Sequence, residues 1–410
     1  MKIIFLSDDF PPQSFGGAGI STYDLAIGMK EAGHQVFVIT TCRKKDEAGE
    51  FNFNGLEVFK IASNYPGKWR SYLSLYNPFV VWRVKELLKK IKPDVVHVNN
   101  VHFYLSYYCL KLAKKYSKVV VFTARDVMTF NFGKLNTQRY LENFDAHTTW
   151  LDHLKQAGKR WNPFRNFFIR KYLKFADQIF AVSKALKEAL EQNGIRDVEV
   201  MHSGIDIDLW QVSEVEKVFY RKKYNLENKK VILFGGRLSG AKGGGKTLLA
   251  LVEVAKVVPE VVLLVVASLD NYTNQLKRDA ERLGVGDKLI FTGWVGRDEI
   301  KYIYACVDLV LVPSICFDSF PRIVLEAMAS GKPVISTPFG GAKEIIGDGI
   351  TGYVVNPLVG NGLAEKVIDL LENSEKSKRF GQVGKERVKK YFNICDKTMR
   401  LIVFYENLIK

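Results

Sequence analysis

The sequence lacks any run of about 18 apolar residues and any pair of cysteines at C-x-x-C spacing, and each absence removes a class of protein. Without such a run no segment reads as a membrane-crossing helix. The cysteines Cys42, Cys109, Cys306, Cys316 and Cys395 are scattered and odd in number. Neither a disulfide framework nor a zinc site is indicated, and a reducing cytoplasm is expected. Met1 to Leu6 leads directly into Ser7, Asp8 and Asp9, whereas a secretory signal needs a basic start, a longer apolar stretch and a small-residue cleavage site. It reads as a first strand. Positive charge is what the chain has in excess, with a formal net charge of +16. That favours an anionic partner, although nucleic acid, an acidic membrane surface and phosphorylated small molecules satisfy it equally.

At 410 residues the chain exceeds one ordinary hydrophobic core, so two domains are expected. Short apolar runs alternate with stretches of helical period, the pattern of β-α units and parallel sheets, and the pattern occurs twice. The first sheet is predicted from Lys2–Leu6, Gln35–Thr40, Val95–Val98, Val119–Thr123 and Gln178–Val182. The second is predicted from Lys230–Phe234, Val261–Val266, Lys288–Thr292, Leu309–Val312 and Pro333–Ser336. Nearly every residue in these runs is β-branched or apolar, as in strands covered on both faces. The segment Ser203 to Trp210 with the charged Ser213 to Lys223 reads as the connection. Ligands of open α/β sheets bind beyond the carboxyl ends of the strands, so the active site is expected in a cleft between the domains.

The first strand leads into a glycine-rich turn containing Gly16, Gly17 and Gly19, ahead of a helical pattern over Ile20 to Ala32. It reads either as a tight turn or as a place where backbone approaches an anionic ligand at a helix N-terminus. In the second half, Arg237 and Lys242 follow the first strand of the second sheet, where two cations suit a diphosphate. The same loop, Gly240 to Thr247, matches the P-loop pattern G-x-x-x-x-G-K-[ST], with Lys246 for phosphate, Thr247 for magnesium and Asp270 as the nearest acidic metal partner. An NTPase is therefore the rival reading, although it leaves the first sheet without a role. Asp206-Ile-Asp208 looks like a metal-binding D-x-D but lies in the connection, where turn formation explains it. The segment Asp318 to Glu326 carries most weight. Asp318 ends a loop after a strand, Pro321 suits the first turn of a helix, and Glu326 lies about two turns in. The pair reads as carboxylates for the hydroxyls of a sugar nucleotide, or as a cap and a salt-bridge partner.

Taken together, the chain resembles the retaining GT-B glycosyltransferases of family 4, the group 1 glycosyl transferases. The likeness rests on Gly16-Gly17, Pro93 to His97, Ala176-Asp177 to Ser183, His202 to Asp206, Gly236-Arg237 with Lys242-Gly243, Phe291 to Val295, and Asp318 to Glu326, in order and spacing. It implies an α/β fold of two Rossmann-like parallel-sheet domains facing a cleft. Residues 1–203 would form the acceptor domain, joined by a crossing helix over 391–410, and residues 204–390 the nucleotide-sugar donor domain. By the resemblance, Glu326 holds the donor ribose, Asp318 the sugar hydroxyls, and Arg237 with Lys242 the diphosphate. Gly17 offers its backbone N–H to the β-phosphate, Val295 its backbone to the base, and Arg322 and Ile323 their N–H groups to phosphate. The implied reaction retains configuration, requires no metal and uses no cofactor, the nucleotide sugar being a substrate. Three departures stand out. Asp318 is one methylene shorter than the family's Glu, Pro321 replaces a common Gly, and Arg125 stands where the family usually carries His. That last change leaves a catalytically silent nucleotide-sugar binder as a further alternative.

Between Leu154 and Phe175 seven cations (Lys155, Lys159, Arg160, Arg165, Arg170, Lys171, Lys174) interleave with Trp161, Phe164, Phe167, Phe168 and Tyr172, with no acid. This reads either as docking on an anionic membrane, bringing a lipid-linked acceptor to the enzyme, or as a helix with core aromatics and solvated cations. None of the recognised nucleic-acid-binding modules is apparent, so no nucleic-acid partner is expected. The expected location is the cytoplasm, peripheral at the inner face of the membrane.

Overall fold

Residues alternating along each apolar run are buried on opposite sides of a sheet, which is why these runs become strands of two covered parallel sheets. In β9 (Lys230–Phe234), Val231 and Leu233 join one apolar cluster while Ile232 and Phe234 join another. The structure is a computed structural model that describes residues 1–13, 16–236, 239–267 and 270–410. Its contacts divide into two units, Met1–Gly204 with Ile394–Lys410, and Ile205–Asn393.

The first unit contains β1 (Lys2–Leu6), β2 (Gln35–Cys42), β3 (Gly49–Phe53), β4 (Leu56–Ala62), β5 (Val95–Val98), β6 (Val119–Ala124), β7 (Gln178–Ala181) and β8 (Val198–Val200). They lie in the order β3-β4-β2-β1-β5-β6-β7-β8, parallel except for the antiparallel β3/β4 pair. The second unit contains β9, β10 (Val261–Val265), β11 (Leu289–Phe291), β12 (Leu309–Val312), β13 (Val334–Ser336) and β14 (Gly352–Val354), in the parallel order β11-β10-β9-β12-β13-β14. In each sheet the strand order reverses at its first strand. β1 sits between β2 and β5, and β9 between β10 and β12. The loops leaving the carboxyl ends at those two positions are the natural ligand-binding places of such sheets.

Four strands were not anticipated. β3 and β4 form a hairpin whose loop residues, Asn54 and Gly55, have φ of 50° and 76°; Asn-Gly between two apolar segments was the signal that could have found it. β8 and β14 have three residues each, too few for a periodic pattern. The first helix begins at Gly17 and not at Ile20, with Gly16 as an extended N-cap at φ −122° and ψ 150°. Gly16, Gly17 and Gly19 therefore do not serve here to reach left-handed backbone. The final helical stretch is also interrupted: one helix ends at Tyr391 and another spans Ile394–Ile409.

That last helix belongs to the core of the first unit, contributing Leu401, Ile402 and Tyr405 to the apolar cluster with Ile3, Phe5 and Val121. Its polar anchor is His97 on β5. The ring meets the Tyr405 hydroxyl through Nδ1 at 2.5 Å and Thr123 Oγ1 through Nε2 at 2.7 Å. Burial, with a smaller push from Arg125, holds the His97 pKa down to about 3. His97 is thus neutral in the fold, while in the unfolded chain it titrates near 6.5. Its contribution is complete above that value and is lost as pH falls from about 6.5 towards 3. By pH 4.5 the loss amounts to about 3 kcal/mol. Urea unfolding between pH 7 and 4.5 should show this decline, and it should shrink in His97→Asn; a flat wild-type profile would contradict it. At pH 7, Tyr405→Phe should cost about 1–3 kcal/mol by leaving the ring nitrogen buried without its partner.

Candidate functional site

In the second unit the loops after β9 and β12, adjacent strands at the reversal point, are drawn together by ion pairing and by close backbone approach. The loop after β9 ends in a short 3-10 turn, Gly240–Lys242, followed by a helix over Gly244–Val257. Between them Gly243 has φ +81°, and a Cβ there would lie 2.0 Å from the Pro313 carbonyl oxygen in the loop after β12. Only glycine fits that contact. Ile315 N–H donates to the Ala241 carbonyl at 3.0 Å and seals the two loops together.

The result is a direct pair between the Lys242 ammonium and the Asp318 carboxylate, with Ser314 Oγ donating to the same carboxylate oxygen at 3.2 Å. Burial works against the charged ammonium, but the Asp318 carboxylate outweighs it and the Lys242 pKa stands above its ordinary value. Asp318 is itself held by main chain. Its N–H donates to Phe339 at 3.0 Å, and its carbonyl accepts from Gly341 at 2.9 Å. Gly340, at φ +110°, lies so close that a Cβ would come within 2.1 Å of the Asp318 carbonyl oxygen.

Glu326 stands on the helix Arg322–Ala329, with Pro321 as the N-cap. The helix begins one residue after the proline, so Glu326 lies little more than one turn in and not two. Both of its carboxylate oxygens have partners. Arg322 Nε donates to one at 3.0 Å, and the Tyr304 hydroxyl donates to the other at 2.9 Å. Burial first, and Glu326 second, hold the Tyr304 phenol well above its ordinary pKa, so it is a donor at any working pH. Arg322 and Ile323 are the first two residues of this helix, where N–H groups precede any intrahelical acceptor. Val295 is buried in the apolar cluster of the same unit, and its neighbour in sequence, Trp294, is exposed. Arg237 lies outside the described residues.

The structure brings together Lys242, Asp318 and Ser314 in one group, and Glu326, Arg322 and Tyr304 in another. Sequence reading missed Ser314, Tyr304 and the Phe339 to Gly341 backbone. No local spacing connects Tyr304 with Glu326; only the Gly340-Gly341 dipeptide signalled a close approach. The P-loop pattern takes a different form. Gly244 to Lys246 are already helical, the Thr247 hydroxyl donates to the Gly243 carbonyl at 3.0 Å, and the Asp270 carboxylate caps the helix Asn271–Arg282. Asp206 accepts from the Asp208 N–H at 3.0 Å, a turn as expected from its place in the connection.

In the first unit Gly16 and Gly17 are exposed at the start of the 15-residue helix Gly17–Glu31, beyond β1. Arg125 follows β6, its Nε donating to Asn99 Oδ1 at 2.8 Å and its Nη1 to Ser203 Oγ at 3.2 Å. Two neutral oxygens from the ends of other elements therefore orient it, a role that sequence gave no means of assigning to Asn99 or Ser203.

The segment Leu154 to Phe175 forms parts of two helices, Trp150–Ala157 and Arg165–Leu173, joined through a 3-10 turn. Phe164 is 66% exposed and Phe167 58%, so these rings are not in the core. Arg165, in contrast, is not a surface cation. It is buried 4.8 Å over the Phe132 ring and donates to Asn166 Oδ1 at 2.8 Å, burial lowering its pKa to about 10. Among the described residues no helix is long and apolar enough to cross a membrane.

Gly243→Ala provides a test of how the loops are held. Strain at positive φ and the clash with Pro313 should cost about 2–4 kcal/mol. A thermal midpoint within 1 °C of wild type would show that the loops do not need this contact.

The sequence matches the Glycosyltransferase Family 4 family over residues 15–209 and the Glycosyl transferases group 1 family over residues 216–387. It is 28% identical over 375 residues to an uncharacterized glycosyltransferase of Methanocaldococcus jannaschii, covering 87% of this chain and 85% of that one. Among solved structures, HepE of Anabaena in complex with UDP and glucose aligns with a TM-score of 0.75 at 20% identity, covering 99% of this chain and 100% of the other. The sucrose-phosphate synthase of Thermosynechococcus elongatus aligns with a TM-score of 0.81 at 19% identity, covering 99% and 98%. The two family matches fall in succession on the two sheets, and the chain belongs to the group 1, family 4 glycosyltransferases of GT-B fold, which are nucleotide-sugar-dependent enzymes.

Proposed function

We propose that the second unit binds a nucleoside diphosphate sugar and that its sugar passes, with retention of configuration, to a hydroxyl of a glycan or lipid-linked glycan held by the first unit. The observation that carries this reading is the Lys242–Asp318 pair at the β9/β12 reversal point, with Glu326 on the adjoining helix. An ammonium has three N–H donors, of which Asp318 takes one, and the others suit diphosphate oxygens. Glu326, oriented from both sides by Arg322 and Tyr304, is an acceptor for ribose hydroxyls. Asp318 is an acceptor for sugar hydroxyls. The N–H groups of Arg322 and Ile323 suit phosphate, and Val295 offers backbone to the base.

In the proposed step the bond between the anomeric carbon and the β-phosphate oxygen breaks while the acceptor oxygen bonds to the same face of that carbon. The acceptor's proton goes to the departing phosphate oxygen. Charge builds on the diphosphate, and Lys242, together with Arg237 shortly before it in sequence, is the group suited to stabilise it without a metal or cofactor. Arg125 and the Gly16-Gly17 helix start add cation and N–H groups suited to an anion. UDP-glucose, a ligand of HepE, is the first donor to test, and UDP, also bound by HepE, the first nucleotide. Lys242→Ala should lower kcat/KM by about 100- to 1000-fold, or roughly 3–4 kcal/mol, with an unchanged circular dichroism spectrum. Wild-type transfer should persist in EDTA. Turnover near normal in the variant would remove Lys242 from the chemistry, and loss of wild-type activity in EDTA would refute metal independence.

The acceptor side carries a second element of this reading, docking of the first unit on an anionic membrane. The exposed Phe164, Phe167 and Phe168 stand among Lys159, Arg170, Lys171 and Lys174. Trp69, Tyr72, Phe79 and Trp82 add further exposed rings in the same unit, and the Tyr72 hydroxyl donates to the Trp161 carbonyl at 2.9 Å. Rings that enter the headgroup layer beside cations bind anionic bilayers. Vesicles containing phosphatidylglycerol should retain the protein at low salt, and Phe164→Ala with Phe167→Ala should weaken that by roughly tenfold. Equal affinity for neutral and anionic vesicles would reject the docking.

A further inference from the structure

We infer that the strand-carboxyl edge of the first unit carries an anion-recognition site for the acceptor, built by Arg43, Arg70 and Tyr65 on the rings of Phe103 and Tyr104. The inference rests on the transfer reading and deepens it, because it gives the acceptor a phosphate or carboxylate beside a sugar ring.

The platform is rigid for a reason that starts at β1. Asp8, two residues beyond that strand, is buried and accepts N–H bonds from Phe103 at 2.7 Å, Tyr104 at 2.9 Å and Leu105 at 2.6 Å. One carboxylate thus fixes three successive residues of the loop beyond β5. The Phe103 and Tyr104 rings lie 6.3 Å apart and stacked, with Tyr65 5.2 Å from Tyr104.

Two guanidinium groups lie on this platform. Arg43, directly after β2, stands 3.1 Å over the Tyr104 ring, its Nη1 donating to Thr41 Oγ1 at 3.2 Å and the Ser63 carbonyl at 2.9 Å. Arg70 stands 4.8 Å over the Phe103 ring, its Nη2 donating to the Phe132 carbonyl at 2.7 Å. Both act on the Tyr65 hydroxyl, a buried group with no hydrogen-bond partner among the described residues. The oxygens that receive these guanidinium bonds are neutral; of the acids that act here, Asp8 already accepts three N–H groups, and Asp126, which acts on Arg70, accepts from the Met128 N–H and the Asn100 amide. Burial, and next the like charge of Arg160, hold the Arg70 pKa below its ordinary value.

A guanidinium held against burial and a like charge, on a ring stacked beside the one that carries a second guanidinium, describes a place prepared for an anion rather than a stabilising network. Chemistry narrows the ligand further. A guanidinium has five donors in a planar fork suited to two oxygens of one phosphate or carboxylate. The neighbouring Tyr65, Phe103 and Tyr104 rings offer flat apolar faces to a sugar. All five residues are partly open to solvent.

Calorimetric titration with saturating UDP present, so that the donor site is filled, tests the assignment using glucose 6-phosphate, methyl α-glucoside and inorganic phosphate as probes. Glucose 6-phosphate should bind at least tenfold more tightly than either of the others. Arg43→Gln with Arg70→Gln should weaken it at least tenfold. Tyr65→Phe, which keeps the ring, should weaken it at least threefold. Thermal stabilisation by UDP should be retained in these variants. Undetectable glucose 6-phosphate binding, equal binding of the neutral glucoside, or unchanged affinity in the double variant would overturn the inference. Phosphate binding as tightly as the sugar phosphate would reduce the site to one for a bare anion and also overturn it. Should UDP fail to stabilise even the wild type, the donor reading fails, while the comparison of wild type with variants still decides the acceptor site.

Discussion

The pairing of Lys242 with Asp318 is the constraint on which the arrangement of the second unit's strand-carboxyl edge depends. A parallel sheet delivers its strand ends side by side but does nothing to hold the loops that follow them. Here an ion pair across the reversal point, with Gly243 against Pro313 and Gly340 against Asp318, brings three loops into contact. For a pair this buried, the cost of desolvating both charges offsets much of their attraction, so the pair is weak evidence of stability. Its effect is positional, since it fixes a cation and a carboxylate side by side at the strand ends, as the proposed donor site requires.

The same economy of means appears around Glu326 and in the first unit. Glu326 is gripped from one side by its own helix, through Arg322, and from the other by Tyr304 on a different helix. Asp8 does the reverse. It is an acid that holds backbone, and through the backbone it places aromatic rings. One acid is thus held by the groups around it, and the other is consumed in building the surface that presents other groups.

Much of this was legible in the sequence because buried parallel strands write themselves as apolar runs. Both sheets, and the placement of Lys242, Asp318 and Glu326 at strand and helix ends, followed from such runs and from helix signals. The misses have a common physical origin. β8 and β14 are too short to impose a period, and β3 has an exposed edge face that breaks one. Partnerships such as Tyr304 with Glu326, His97 with Tyr405, or Arg43 with Tyr104 join residues whose proximity exists only after the sheet order is known. Arg165 shows the opposite error. A cation in a basic stretch looks solvated, and only its packing over Phe132 and its bond to Asn166 Oδ1 reveal that it is buried.

The helix Ile394–Ile409 has a bearing on how the chain is made. It follows the whole second unit in sequence yet supplies Leu401, Ile402 and Tyr405 to the core of the first. On a ribosome adding about 5–20 residues per second, the intervening residues take roughly ten seconds or more to emerge. During that interval the first sheet exists without the side chains that cover part of it, and His97 without the hydroxyl that satisfies its ring. The second unit is continuous in sequence, whereas the core of the first is completed only once the helix Ile394–Ile409 has been made.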